Sequence, residues 1–128
     1  RQRKGHPRGT GALDLESYCA LSHLVVSSAG DPFTGFVDQT LAGLGYQRHV
    51  AMSTQSYAVA PALVAGTDLV CTLPERMLKQ FASTLDLFAP PLPLQPIIIY
   101  MYWHPKNSQD PANAWLREQL LQAAGRQV

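Results

Sequence analysis

Short apolar runs of strand length alternate with stretches of helical periodicity along most of this chain, and this alternation restricts the fold more than any other feature. The apolar runs lie at residues 24–26, 49–52, 69–73 and 85–88. Apolar residues at helical spacing follow the first three runs, at residues 36–44, 57–65 and 75–81. Strands that alternate with helices usually lie parallel in one sheet. The sequence therefore predicts an α/β fold with a mainly parallel sheet flanked by helices.

Residues that start or stop helices stand at the expected places in this pattern. Gly43 and Gly45 can end the first predicted helix, because glycine readily adopts the backbone conformation that terminates a helix. Thr54 or Ser56 can cap the second, and Gly66 can end it. These signals support a helix over residues 57–65.

Four prolines between residues 90 and 96 separate the α/β part from a tail of different character. Proline fixes its own φ angle and restricts the preceding residue, so we expect an extended crossing here. Residues 97–103 then form an unbroken run of β-branched, aromatic and other apolar side chains. Such a run predicts a fully buried strand.

A final helix is indicated by Asp110 and Pro111, since the carboxylate can cap the helix and proline is favoured at its first position. Its apolar stripe continues to Gly125. Trp103 and Trp115 flank the start of this helix, and we expect both to be core anchors.

Basic residues are concentrated at the beginning of the chain, where Arg1, Arg3, Lys4 and Arg8 are four of the ten Lys and Arg residues. Neighbouring glycine and proline prevent a stable helix that could enter a nucleic-acid groove. We therefore expect this segment to be either a solvated flank or the end of a strand that lacks its partners. If the protein binds DNA, another part of it does so.

The sequence offers no pattern for catalysis, for a metal or for a cofactor. Cys19 and Cys71 lie far apart among apolar neighbours, which favours buried free thiols over a disulfide or a metal pair. No nucleophile elbow or phosphate-binding glycine loop is present, and the histidines lack metal-ligand spacing. The apolar runs are far shorter than the roughly twenty residues that span a bilayer, and no signal-peptide core opens the chain. We expect a cytoplasmic protein that is neither an enzyme nor a membrane partner.

Several short motifs follow one another along almost the whole chain. They are Gly5-His6-Pro7, Gly35-Phe36-Val37-Asp38, Ala60-Pro61-Ala62-Leu63-Val64, Leu73-Pro74-Glu75-Arg76, Trp103-His104-Pro105, Asp110-Pro111-Ala112 and Trp115-Leu116-Arg117. In this order they resemble the effector-binding, or substrate-binding, domain of LysR-type bacterial transcriptional regulators. Asn113 and Ala114 depart from the His-Arg that relatives often carry, which affects the surface of the last helix and not the fold.

The resemblance implies a fold similar to type II periplasmic binding proteins, in which two α/β subdomains are hinged by crossing strands. Residues 1–12 would be a crossing segment from the first subdomain, and residues 13–89 would be the second regulatory subdomain. Residues 90–128 would supply the returning strand and the C-terminal helix of the first subdomain. The opening part of that first subdomain would lie outside this sequence.

The function implied by the resemblance is effector sensing. A small molecule would bind between the subdomains, and the signal would pass to a separate helix-turn-helix domain that binds DNA. Such regulators work as dimers or tetramers, so we also expect self-association. The alternative with the same fold is the solute-binding protein of a transport system, which a signal peptide upstream of the domain would indicate.

Two hydroxyl-rich loops are the candidate effector site. In open α/β sheets ligands lie beyond the carboxyl ends of the strands, where helix starts direct their N–H groups. The loops that follow the first two predicted strands carry the candidate ligand-binding residues Ser27, Ser28, Gly30, Thr54, Ser56 and Tyr57. They would hold a small polar or anionic effector, with a carboxylate as the first choice, while the tyrosine packs against its body. The alternative is that these side chains are ordinary caps and turn residues.

Overall fold

The computed structural model describes residues 1–27 and 30–125. The chain divides into two compact units, Arg1–Pro96 and Ile97–Val128. In chain order the elements of the first unit are β1 (Gln2–Arg3), α1 (Leu15–Ala20), β2 (Ser22–Val26), α2 (Phe36–Gly43), β3 (His49–Thr54), α3 (Ala60–Ala65), β4 (Val70–Cys71), α4 (Glu75–Lys79) and β5 (Leu85–Asp86). The second unit contains a short 3₁₀ turn (Pro105–Asn107) and α5 (Pro111–Ala123).

A three-stranded parallel sheet in the order β3-β2-β4 forms the centre of the first unit. Val26 at the end of β2 is paired with Thr54 at the end of β3, and Leu24 is paired with Cys71 of β4. β1 and β5 form a separate antiparallel pair. The predicted α/β class with a mainly parallel sheet is confirmed.

Helices cover this sheet on both faces because successive side chains of a strand point to opposite sides. Leu24 packs in one core cluster together with α3, at Ala60 and Val64. The neighbouring residue Val25 lies against Gly35 at the start of α2, on the other face. A second cluster on α1 and α2 buries Tyr18, Cys19, Val37 and Leu41, and Leu92 of the proline-rich segment joins it. The prolines therefore lead the chain across the core of the first unit.

The helix predicted from Tyr57 begins three residues later, at Ala60. A helix from Tyr57 would need a hydrogen bond from the N–H of residue 61 to the carbonyl of residue 57. Residue 61 is proline and has no N–H to donate. Residues 57–59 form a turn instead. The predicted helix over 36–44 is confirmed within one residue, while the one over 75–81 ends at Lys79.

The basic start of the chain is a strand end that has its partners, since β1 pairs with β5, so both expected alternatives, a solvated flank and a strand end without partners, are wrong. Arg1 and Gln2 are buried, and Cys71 donates a backbone hydrogen bond to the Arg1 carbonyl over 2.9 Å. Arg3 forms an ion pair with Asp68, with 2.6 Å between nitrogen and oxygen. A two-residue strand is too short to leave a pattern in the sequence.

The predicted buried strand at residues 97–103 is wrong for this structure. The segment has no regular secondary structure and pairs with no strand among the described residues, and Ile99 is 91% exposed. Trp103 and Trp115 are exposed as well, so neither is a core anchor here. The described part of the second unit contains only this segment, the 3₁₀ turn and α5, and it offers no second layer to cover apolar side chains.

None of the helices in residues 1–27 and 30–125 is long and apolar enough to cross a membrane.

Candidate functional site

The two hydroxyl-rich loops meet at one edge of the parallel sheet. β2 and β3 are neighbours and run in the same direction, so the loops that follow them leave the sheet side by side. The backbone N–H of Ser27 donates to the carbonyl of Thr54 over 3.0 Å, which joins the loops directly. Ser28 lies outside the described residues, and Gly30 is exposed. The candidate residues that the structure describes therefore lie on two loops that leave the same edge of the sheet.

Ser27 braces its own loop. Its hydroxyl is buried and donates to the carbonyl of Asp31 over 2.9 Å. The Asp31 carboxylate accepts in turn from the backbone of Phe33. The hydroxyl proton of Ser27 is thus already used within the protein, which favours the structural alternative for this residue.

Thr54 and Ser56 form successive turn contacts in the second loop. The Thr54 hydroxyl accepts from the backbone N–H of Ser56 at 3.2 Å, and the Ser56 hydroxyl accepts from Val59 at 3.3 Å. Each oxygen satisfies a backbone donor and still carries its own proton. Both side chains can therefore donate to a ligand while they hold the loop in place.

Tyr57 is about half exposed and borders a small indentation at the same edge, which we call the Tyr57 niche. The niche lies between the start of α2, the loop after β3 and the end of β4. Its walls include Val26, Phe36, Arg48, Tyr57, Thr72 and Leu73. Among these six residues, only Tyr57 had been predicted from the sequence to belong to the site. The sequence did give a signal for Thr72, because this hydroxyl residue directly follows an apolar strand as Ser27 does. It gave no such signal for Phe36 or Arg48.

A buried ion pair lies behind the niche. The Arg48 guanidinium donates to both carboxylate oxygens of Asp38, at 2.8 and 2.7 Å, and its side chain is 3% exposed. Asp38 also accepts from the backbone N–H of Gly35 at 2.7 Å. Burial alone would raise the pKa of Asp38, but the hydrogen bonds from Arg48 and Gly35 and the charge of Arg48 outweigh it and lower that pKa. The charge of Arg48 is therefore compensated within the protein.

A larger cavity of about 650 Å³ lies along α2 and the outer edge of β3. Phe33, Tyr46 and His49 are among its lining residues. None of the predicted site residues in the described chain lines it. It shares Arg48 with the Tyr57 niche, and it is also lined by Asp31, whose carbonyl accepts from Ser27.

The two cysteines are free and buried, as predicted. Burial raises the pKa of both thiols, which keeps them protonated and unreactive at neutral pH. Within residues 1–27 and 30–125, no three side chains of His, Cys, Asp or Glu gather where they could hold a metal ion.

Comparison with known proteins gives a family, relatives and a fold. The family described as LysR substrate binding domain matches residues 3–125. The chain is 32% identical over 124 residues to the HTH-type transcriptional regulator SyrM of Rhizobium meliloti, which covers 95% of the chain and 38% of SyrM. It is 35% identical over 121 residues to the HTH-type transcriptional activator NahR of Pseudomonas putida, which covers 93% of the chain and 40% of NahR.

A solved structure agrees with these relatives. The regulatory domain of MexT, a transcriptional activator of Pseudomonas aeruginosa, superimposes with a TM-score of 0.71 at 30% sequence identity. The match covers 89% of this chain and 58% of the MexT chain. The chain thus spans about two fifths of the length of the curated relatives it matches.

Proposed function

Because this chain belongs to the LysR substrate-binding domain family, we propose that it is the effector-sensing part of a bacterial transcriptional regulator. The match of that family over residues 3–125 is the observation that carries the proposal. SyrM and NahR are named as transcriptional regulators, which favours a regulator over the solute-binding protein of a transport system. The same names favour a protein without catalytic activity.

The effector site in this proposal is the sheet edge where the two hydroxyl-rich loops meet. Ser28, Thr54 and Ser56, with Gly30 and the adjacent amides, would surround the polar end of a small molecule, and Tyr57 would contact its body. Ser27 would hold its own loop in place through the hydrogen bond to Asp31. The joined carboxyl ends of β2 and β3 support this assignment, because ligands of open α/β sheets lie at such edges. A carboxylate is the preferred polar group, since hydroxyl and backbone donors converge there.

The remaining parts of the proposal concern the whole protein. Residues 1–12 would be a crossing segment, 13–89 the second regulatory subdomain, and 90–128 the returning part of the first subdomain. A separate helix-turn-helix domain would bind DNA, in the cytoplasm. The intact regulator would form dimers or tetramers, and a monodisperse monomer in light scattering at high concentration would contradict that.

Effector binding is tested in the intact regulator. A thermal-shift screen of small carboxylates identifies a ligand, because a molecule that binds only the folded state raises the melting temperature. Calorimetry then compares Ser28→Ala and Ser56→Ala with the wild type. Loss of one ligand hydrogen bond should weaken binding about two- to tenfold.

Ser83→Ala is the matched control, because Ser83 is exposed in the turn before β5. It should leave effector affinity unchanged, and all three variants should keep the wild-type affinity for DNA without effector. Unaltered effector affinity in both Ser28→Ala and Ser56→Ala would refute the site assignment.

A further inference from the structure

The open cavity of about 650 Å³ along α2 and the outer edge of β3 contains none of the described residues that are proposed to contact the effector. Its volume lies within the range of small-molecule sites, which is about 300–1,000 Å³. We infer that it is a second ligand-binding site and that it takes a small organic amine with an apolar body. This ligand would differ from the effector, whose proposed polar group is a carboxylate.

The charge of the ligand follows from the carboxylates and the guanidinium in the cavity wall, which belong to Asp31, Asp38 and Arg48. Arg48 donates to both carboxylate oxygens of Asp38, at 2.8 and 2.7 Å, so these two charges compensate each other. Asp31 forms no ion pair with any residue in the described parts of the chain. One negative charge is therefore left uncompensated, and it favours a cation.

The Asp31 carboxylate is held in place by neutral groups only. It accepts from the backbone N–H of Phe33 over 2.9 Å and from the Thr34 hydroxyl. These hydrogen bonds lower the pKa of Asp31, so the carboxylate is charged at neutral pH. The Asp31 carbonyl also accepts from the Ser27 hydroxyl over 2.9 Å. The negative group is thus preformed, and a ligand need not order it on binding.

Access from solvent separates Asp31 from the ion pair behind it. Asp31 is exposed, whereas the Arg48 side chain is only 3% exposed. A ligand therefore reaches the uncompensated carboxylate more easily than the guanidinium. An anion would have to displace Asp38 from Arg48, and breaking a buried ion pair is strongly unfavourable. Asp31 would also repel it, so the cavity selects a cation over an anion.

Two aromatic side chains in the wall suit the apolar body of such a ligand. Phe33 is 54% exposed and Tyr46 is 43% exposed, so each leaves part of its ring uncovered. Leu41 and Ala42 of α2 add further apolar wall. A cation over an aromatic face is attracted by the ring quadrupole. Phe33 lies in the same turn as Asp31, so an ammonium group can contact a ring and a carboxylate together.

Binding is tested by NMR titration of the full chain with 2-phenylethylamine, in which an ethyl chain joins a ring to an ammonium group. At about pH 8 the amine is protonated and histidine side chains are uncharged. The backbone amides of Phe33, Thr34 and Gln47 should shift together and saturate. The matched control ligand is 3-phenylpropanoate, which has the same ring and chain but a carboxylate instead of the ammonium. It should leave these amides unshifted.

Variants test the two contacts separately. Asp31→Asn removes the charge but keeps an oxygen that can accept from Phe33 and Thr34, and it should weaken amine binding about two- to fivefold. Glu16→Gln is its control, because Glu16 is exposed in α1 outside the cavity and the net charge changes equally. Phe33→Leu removes the ring and should also weaken binding about two- to fivefold. Tyr100→Leu, which removes an exposed ring from the second unit, should have no effect.

Several results would overturn the inference. Equal shifts with 3-phenylpropanoate would show that the cavity does not select a cation. Shifts confined to Ser56 and Tyr57 would place the amine at the sheet edge instead. Absence of any saturating shift at the cavity, or unaltered affinity in both Asp31→Asn and Phe33→Leu, would remove the site. None of these results bears on effector sensing, which the Ser56→Ala measurement decides independently.

Discussion

β2 and residues 97–103 are both apolar segments of strand length, yet their environments are opposite. β2 is the central strand of the parallel sheet, and its Leu24 is 1% exposed. Residues 97–103 are the more hydrophobic of the two, but they remain unpaired among the described residues and Ile99 is almost fully exposed. Apolar character therefore indicates that a segment can be buried, and the neighbours decide whether it is.

The same contrast applies to the helices of the two units. α1 and α2 bury their apolar positions in a cluster that includes Tyr18 and Leu41. α5 is the longest helix described, yet it buries none of its residues. Helices in proteins gain most of their stability from packing of an apolar face. We therefore expect the two units to respond very differently to equivalent substitutions.

The largest effect should come from truncating the same kind of side chain in both segments. Leu24→Ala removes a buried side chain from the core of the first unit, and should lower the free energy of unfolding by about 2–5 kcal/mol. Ile99→Ala should change it by less than about 0.5 kcal/mol, because the side chain is already in water. Urea denaturation of the chain measures both. Equal losses would show that residues 97–103 are buried in solution.

Acid should destabilise the first unit because His23 is protonated more readily in the unfolded chain. Its ring is fully buried in β2 and donates to the Tyr18 carbonyl over 2.7 Å, and burial lowers its pKa to about 4 from 6.5. Between these two values the unfolded chain binds a proton that the folded chain does not. The contribution of His23 to the free energy of unfolding is therefore fully present above about pH 6.5. It is lost as the pH drops towards 4, and the loss is about 3 kcal/mol in all.

Unfolding measurements between pH 7 and 4 test this expectation. His23→Gln should flatten the pH dependence even though it lowers the overall stability. His104→Gln is the control in the second unit, because His104 is exposed, and it should leave the slope unchanged. An unaltered slope in His23→Gln would assign the acid sensitivity to other groups.

Much of the fold was predictable because the periodicity of the first unit is local and regular. The strands, the start of α2 and the α/β class all follow from residues near one another in sequence. The later start of α3 was also encoded, in the missing N–H of Pro61. The pairing of β1 with β5 was not, since Gln2 and Asp86 are far apart in sequence and their strands have only two residues each.

The candidate site was predictable in position and not in detail. Parallel strands end at the same edge, so the loops after β2 and β3 had to meet there. The contact between Tyr18 and Thr72 joins residues 54 positions apart, and no spacing rule reveals it. The Ser27 hydroxyl donates to the Asp31 carbonyl, and the sequence pattern does not specify this contact.

Loss of a helix cap should cost about 1 kcal/mol in either unit, but with different consequences. Asp14 accepts from the backbone of Ser17 at the start of α1, and Asp110 accepts from Asn113 at the start of α5. α1 packs into the core, so Asp14→Ala should lower the global stability measured by urea. Asp110→Ala should act locally, as about fivefold faster hydrogen exchange in the first turn of α5. A global loss with Asp110→Ala would contradict this expectation.

The smallest expected effect concerns a cation–π contact that occurs once in each unit. Arg8 lies over the ring of Phe88 at 4.1 Å in the first unit, and Arg117 lies over the ring of Trp103 at 4.5 Å in the second. Cation–π contacts at exposed sites contribute about 0.5–1 kcal/mol. Arg117 also donates to the carbonyls of Asn107 and Ser108, so it closes the turn that precedes α5.

Replacing each arginine by lysine keeps the charge and removes the planar guanidinium that stacks on the ring. Arg117→Lys should speed hydrogen exchange in the 3₁₀ turn two- to fivefold, because two carbonyls and one ring lose their partner together. Arg8 also donates to the Gln2 side chain and to the Gly11 carbonyl, but the same change there should have a smaller local effect, since β1 remains paired with β5 and Phe88 is half-buried. Hydrogen exchange followed by mass spectrometry measures both variants. A larger effect at Arg8 would mean that the 3₁₀ turn does not depend on the contacts of Arg117.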